Sequence, residues 1–216
     1  MTPAKMTGEA GLHAPAAAIA EVMAANPPIA TDGRRLRAEA SRARIVEAML
    51  ELIRQGNPAP SAEAVAEQAG VGLRTVFRLF NDMDSLYREM HAMMLARLAP
   101  IAAEPVVGET WRIRLRNLIH RRVRLFEEMM PFQVAADAHR ARSPFLQKGH
   151  ESLLRLQRSM ATALLPDEMK ADRVLVEMMD LLMSFDAWRR LRLDQKLSLE
   201  EAEQIIAALV DRVLGP

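Results

Sequence analysis

The chain has 216 residues, half of them hydrophobic and 26% charged, which is the composition of a soluble globular protein. Its 29 basic and 28 acidic side chains nearly cancel, so the net charge of +1 points to no partner by itself. With no cysteine, a disulfide scaffold, a thiolate nucleophile and a sulfur-ligated zinc site are excluded, and a reducing cytoplasm is the expected compartment.

Residues 1–33 hold ten alanines, four prolines and few large apolar side chains, too little to offset ordering, and read as a mobile tail. That stretch is a poor signal peptide, and no apolar run approaches the roughly 18–20 residues of a membrane span. A first helix is expected over about 38–55, where Val46, Met49, Leu50 and Ile53 form one apolar stripe, stopped by Gly56 and Pro58. Ser61 suits the N-cap of a short helix ending at Gly70, a third helix spans 73–79, and Asp82 opens a fourth. Longer helices follow over 108–130, 132–141, 144–164, 168–193 and 199–214, with prolines as punctuation between them. Ser143-Pro144 reads as an N-cap before a first-turn proline, and Ser198 with Glu201 as a capping box. No sustained period-two alternation occurs. The predicted class is all-α.

Residues 34–80 carry eight arginines against five glutamates, so the near-neutral total conceals a basic N-terminal module. Within it, the two short helices joined by Ala69-Gly70-Val71-Gly72 have the length and glycine placement of a helix-turn-helix. Val76 and Phe80 lie four apart and can pack inward. Leu73, Arg74, Thr75, Phe77 and Arg78 fall largely on the other side, where arginine and threonine can enter a major groove. Upstream, Arg34, Arg35, Arg37, Arg42 and Arg44 form either a phosphate-tracking arm or ordinary solvated charge.

Residues 38–90 resemble the DNA-binding domain of the TetR family of transcriptional regulators. The likeness rests on the amphipathic first helix, S-x-x-x-V-A-x-x-A-G-V-G from Ser61, T-V-F-R-x-F from Thr75, and the acidic, Leu86-Tyr87 start of the fourth helix. It implies an N-terminal three-helix helix-turn-helix DNA-binding domain, residues 34–90, and a C-terminal helical effector-binding and dimerisation domain, residues 91–216. The DNA-contact set it implies is Ser61, Leu73, Arg74, Thr75, Phe77 and Arg78, joined by Arg34, Arg35, Arg37 and Arg44. Three positions depart from the family pattern: Phe77 replaces a common tyrosine, Gly72 a serine N-cap, and Met83 a lysine. Each removes a polar or charged backbone contact.

Farther along, Val174, Met178, Leu181, Phe185 and Trp188 repeat at heptad-like spacing, and Ile205 and Leu209 belong to a similar stripe on the last helix. Two such hairpins would form a four-helix, two-fold interface, which is also how the resemblance implies a homodimer reading a roughly palindromic operator. Trp111, Phe126, Met129, Met130, Phe145, Met179 and Met183 are candidates for lining an effector cavity, methionine adapting well to irregular apolar shapes. Residues 112–124 (RIRLRNLIHRRVR) hold six arginines, expected as a solvated face paired with glutamates or as a surface for an anionic effector. The five histidines form no i, i+4 pair, and no H-E-x-x-H, phosphate loop or G-x-S-x-G occurs, so no catalysis, metal or cofactor is expected. The predicted function is a DNA-binding regulator, a repressor released by a small hydrophobic or amphipathic effector. The alternative is an all-α binding or interaction protein whose helix-turn-helix does not read DNA.

Overall fold

In the computed structural model the described residues are 33–215, with side chains from Arg35 onward. The expected tail lies outside them apart from Gly33, as does the Arg34 side chain. Ten α-helices follow in order: α1 Gly33–Arg54, α2 Ala62–Gln68, α3 Leu73–Leu79, α4 Met83–Ala102, α5 Trp111–Arg140, α6 Pro144–Leu164, α7 Asp167–Ala171, α8 Arg173–Leu182, α9 Phe185–Arg189 and, after a π-helical turn over Arg190–Asp194, α10 Leu199–Leu214. The described residues contain no strand. None of their helices is long and apolar enough to cross a membrane.

Two apolar cores organise these helices. The first gathers Ile45, Met49, Leu50, Val65, Val76, Phe80, Leu86 and Tyr87 from α1 to α4, and it extends to Leu98 and to Phe132 and Ala135 of α5. The second is built from α5, α6, α8, α9 and α10 around Leu118, Phe126, Met179, Trp188, Ile206 and Val210. The N-terminal core therefore reaches past position 90 along the unbroken α4.

Caps anticipated from the sequence hold the helix starts. Ser61 Oγ accepts from the Ala64 amide at 3.2 Å, Ser143 Oγ from Leu146 at 3.2 Å, and Ser198 with Glu201 closes a reciprocal box. Asp82 and Ser85 close a second box at the start of α4.

Two expected helix boundaries are corrected. Pro131 does not divide α5, and Pro100 lies inside α4. A mid-helix proline removes one ladder bond and costs about 3 kcal/mol. On α5 that cost is outweighed because Met130 and Phe132, on either side of Pro131, are buried in different cores. Conversely, the helix expected over 168–193 is divided among α7, α8, α9 and the π turn. Asp172 and Ser184 each turn a side chain back to cap a fresh start, on the Leu175 and Ala187 amides.

That division also corrects the expected seam. Val174 and Leu181 are each 68% exposed and Met178 is exposed beside them, but Phe185 and Trp188 turn inward and are buried in the second core. The break at Met183-Ser184 rotates the later residues off the outer stripe. On α10, Ile205 and Leu209 are half-buried.

Candidate nucleic-acid interface

The turn between α2 and α3 needs a left-handed residue, and Gly70 supplies it at φ +62°. Gly72 then takes the extended backbone of an N-cap without a side-chain bond, and α3 runs seven residues beyond it, about two turns. Val76 on the inner face of α3 and Phe80 at its C-cap are buried, and Leu73 packs half-buried on the same core. Arg74, Phe77 and Arg78, at i, i+3 and i+4, share the opposite face and are exposed, with Thr75 half-buried at its edge. Phe77 is 52% exposed, so this face offers two guanidinium groups around an uncovered aromatic ring.

Arg42 fixes the far end of α3. Its Nη1 donates to the Leu79 carbonyl at 2.6 Å, its Nε to Glu89 at 2.6 Å, and its guanidinium lies 4.5 Å from the centre of the Phe80 ring. One side chain of α1 thus holds the C-terminal end of α3 against α4. Nothing in the sequence distinguishes Arg42 from the neighbouring arginines, because its partners are 37 and 47 residues away.

The remaining predicted contacts are placed as follows. Ser61 is spent as an N-cap at the start of α2. Arg35, Arg37 and Arg44 are all exposed on the early turns of α1, and Arg35 pairs with Glu39 one turn on at 3.3 Å.

Behind α3, the first turns of α4 dock on the corner between α5 and α6. Ser143 Oγ donates to the Asp84 carboxylate, which also takes Arg88 at 2.7 Å. Tyr87 and His139 meet with ring centres 4.4 Å apart, and His91 meets Phe145 edge-on at 5.6 Å. The Ser143 hydrogen bond holds Asp84 below the usual carboxylate range, against the pull of burial. Burial pushes the Tyr87 phenol well up, and its hydroxyl has no hydrogen-bond partner among the described residues, nor have His139 Nε2 and Arg140 Nη1.

Burial likewise holds His91, His139 and His150 below their ordinary value, with Arg142 adding to the effect on His139 and Arg140 on His150. A depressed histidine stabilises the fold above its unfolded pKa of 6.5, and that contribution is lost as pH falls through the folded value. Urea denaturation midpoints are therefore expected to fall steadily from about pH 7 to about pH 5. His91→Gln should flatten the fall. Midpoints constant over this range would contradict the assignment.

The seven candidate effector residues do not converge on one cavity. Met130 and Met179 are buried in the second core, with Trp111 half-buried against it, and Phe126 and Met183 border a void of only about 10 Å³. Met129 packs on the first core, and Phe145 belongs to the α4 corner. Helical periodicity places these residues inward but cannot tell which core receives them. A wider, open cleft of about 680 Å³ lies where α1, α4 and α5 meet. Three of its charges are paired, Arg54 to Glu51, Arg97 to Glu47 and Glu127 to Arg192.

The basic stretch of α5 is also partly corrected. Arg116 pairs with Asp211 and Arg124 with Glu104, as a solvated face would. Arg121 and Arg122 are instead buried. Among the described residues no group of histidine and acidic side chains is arranged to hold a metal ion.

No protein-family model matches the chain, and no curated protein does. Among solved structures it is similar to a TetR transcriptional regulator from Rhodococcus sp. RHA1, at 19% identity over 81% of this chain and 97% of that one, with a TM-score of 0.46.

Proposed function

We propose that the chain is a homodimeric, sequence-specific DNA-binding regulator of the TetR kind, a cytoplasmic repressor released by a small hydrophobic or amphipathic effector. The observation that carries this reading is the division of α3 into a locked inner face and an outer face presenting Arg74, Phe77 and Arg78. A helix held in this way can enter a major groove without rearranging, its arginines reaching base edges or phosphates. The exposed stripe of Val174, Met178 and Leu181 is the surface proposed to pair two copies, with Ile205 and Leu209 beside it. Two copies would set two reading helices on successive groove segments. Release requires an effector that binds the DNA-incompetent arrangement more tightly than the competent one. No catalytic step enters this reading.

The test is fluorescence anisotropy on DNA flanking the chain's own gene, against an unrelated duplex, across a salt series. Preference for the flanking DNA, with affinity falling steeply as salt rises, supports the reading. Arg74→Ala is expected to cost about 1–3 kcal/mol of binding and to relax sequence preference. Unchanged affinity and preference would remove Arg74 from the interface.

A second reading, a helix-turn-helix put to another use, is favoured by the uncovered Phe77 and by Met83 in place of a cation. Equal, weak binding to every duplex, including those selected from a random pool, would select it.

A further inference from the structure

Two adjacent arginines of α5 are withdrawn from solvent, and they are stabilised differently. Arg121 reaches the Ala102 and Glu104 carbonyls at the end of α4 and also feels the Glu104 carboxylate. Arg122 is 6% exposed and points into the second core. Its Nη1 donates to the Met183 carbonyl at 3.0 Å and its Nη2 to the Gln157 carbonyl at 2.7 Å. Both acceptors are neutral. A guanidinium has five N–H groups, so three are left without an acceptor among the described residues.

No carboxylate pairs with Arg122 among the described residues. Asp180, whose field reaches it, is bonded to Arg158 at 3.1 Å. Burial draws the guanidinium down to about 10, so it remains charged at neutral pH. A buried cation hydrogen-bonded only to neutral carbonyls is costly, and an anion brought to it recovers part of that cost.

The surroundings suit one kind of anion. Arg122 borders the small void together with Phe126, Leu182, Met183, Trp188 and Ile206, an apolar wall with a single charge set in it. As it stands the void holds about 10 Å³, the room of one water molecule. Its boundary is irregular. The α8–α9 break falls at Met183-Ser184, and a π turn follows one short helix later. Met183 is unbranched and repacks readily, and Leu182 and Ser184 are only half-buried.

We propose that Arg122 is the anion-recognition point of the effector site, and that the effector is an amphipathic acid. Its carboxylate takes the unused N–H groups of Arg122, and its apolar chain displaces Leu182 and Met183 at the α8–α9 break to lie against Phe126 and Trp188. This deepens the proposed function and rests on it for the consequence at DNA, but not for the binding itself. A bidentate carboxylate matches the guanidinium fork, whereas an alcohol of equal length supplies the tail without the charge.

The test uses the full chain without DNA. Decanoate, 1-decanol and decyltrimethylammonium are titrated below their micelle concentrations and followed by tryptophan fluorescence. The chain has two tryptophans, so Trp111→Phe leaves the emission of Trp188 alone. Decanoate is expected to bind at least about tenfold more tightly than decanol, the ratio that one charge-assisted contact of about 1.5 kcal/mol gives. The ammonium probe should bind least. Arg122→Gln is expected to bring the decanoate-to-decanol ratio close to one, while Arg122→Lys keeps a preference for the acid.

If Arg122→Gln does not fold, quenching of Trp188 by ω-bromodecanoate together with the wild-type and Arg122→Lys ratios decides the matter. Equal binding of acid and alcohol to the wild type, an acid preference that survives in folded Arg122→Gln, or absence of bromine quenching would each overturn the proposal. Repeating the titration with bound operator separates the two readings. Acid binding that needs Arg122 yet leaves DNA affinity unchanged supports the site and removes the effector role. DNA binding with no acid preference overturns the site alone.

Discussion

Trp188→Ala is expected to destabilise the chain by about 3–5 kcal/mol, the usual range for removing a large aromatic side chain from a core. Trp188 is 1% exposed, and its Nε1 donates to Glu127 Oε1 at 2.8 Å. Two losses combine. The apolar transfer energy of the indole goes, and a new cavity joins the existing void instead of collapsing, because α5 and α10 hold the walls apart. Glu127 keeps its contact with Arg192 at 2.9 Å, so the carboxylate is not stranded and the polar part of the loss stays modest. Trp188→Phe, which keeps most of the buried area, should cost only about 1–2 kcal/mol. Urea denaturation with an unchanged slope measures both, and a melting point on the order of 10 °C lower should accompany the alanine variant. An alanine cost below that of phenylalanine would mean the indole is not well packed.

The second large effect is expected at an arginine whose guanidinium is taken up inside the fold. Arg42→Met should lower stability by about 2 kcal/mol, because the Leu79 carbonyl and the half-buried Glu89 lose their common donor. On the proposed DNA-reading function, binding should weaken about tenfold, or about 1.4 kcal/mol, with the same sequence preference, since α3 would be free to tilt while Arg74, Phe77 and Arg78 remain on its outer face. Arg42→Lys restores charge without the fork and should recover less than half of either effect. The double variant with Glu89→Gln is expected to show coupling of about 0.5–3 kcal/mol. A variant that lost stability but bound every duplex as before would show that Arg42 supports the core without aiming α3.

Much of the N-terminal half was legible in the chain because its signals are local. The α3 boundaries, the Ser61 and Asp82 caps, and the turn glycine all follow from residues within four positions of one another. What escaped was set by distant partners. Periodicity separates the inward from the outward side of a helix, but it cannot say that Met129 faces one core and Met130, its neighbour, the other. A run of arginines on an amphipathic helix reads as solvated. Only the carbonyls of Gln157 and Met183, 35 and 61 residues away, reveal that Arg122 is interior. The heptad stripe failed in the same way. Ser184 is an ordinary serine in a helical pattern until its side chain turns back to cap Ala187 and moves Phe185 and Trp188 off the exposed line.

The 30-residue helix α5 has a thermodynamic consequence of its own. It lends Phe126 and Met130 to one core and Phe132 and Ala135 to the other, with Pro131 at the handover. Neither core can melt without unwinding backbone that the other needs, so two modules distinct in space are bound into one cooperative transition. The ladder bond that Pro131 withholds from the Glu127 carbonyl leaves a soft point at that handover, where the helix yields to bending more easily than to separation. Bending at Pro131 would change the angle between the two cores while leaving the packing inside each intact.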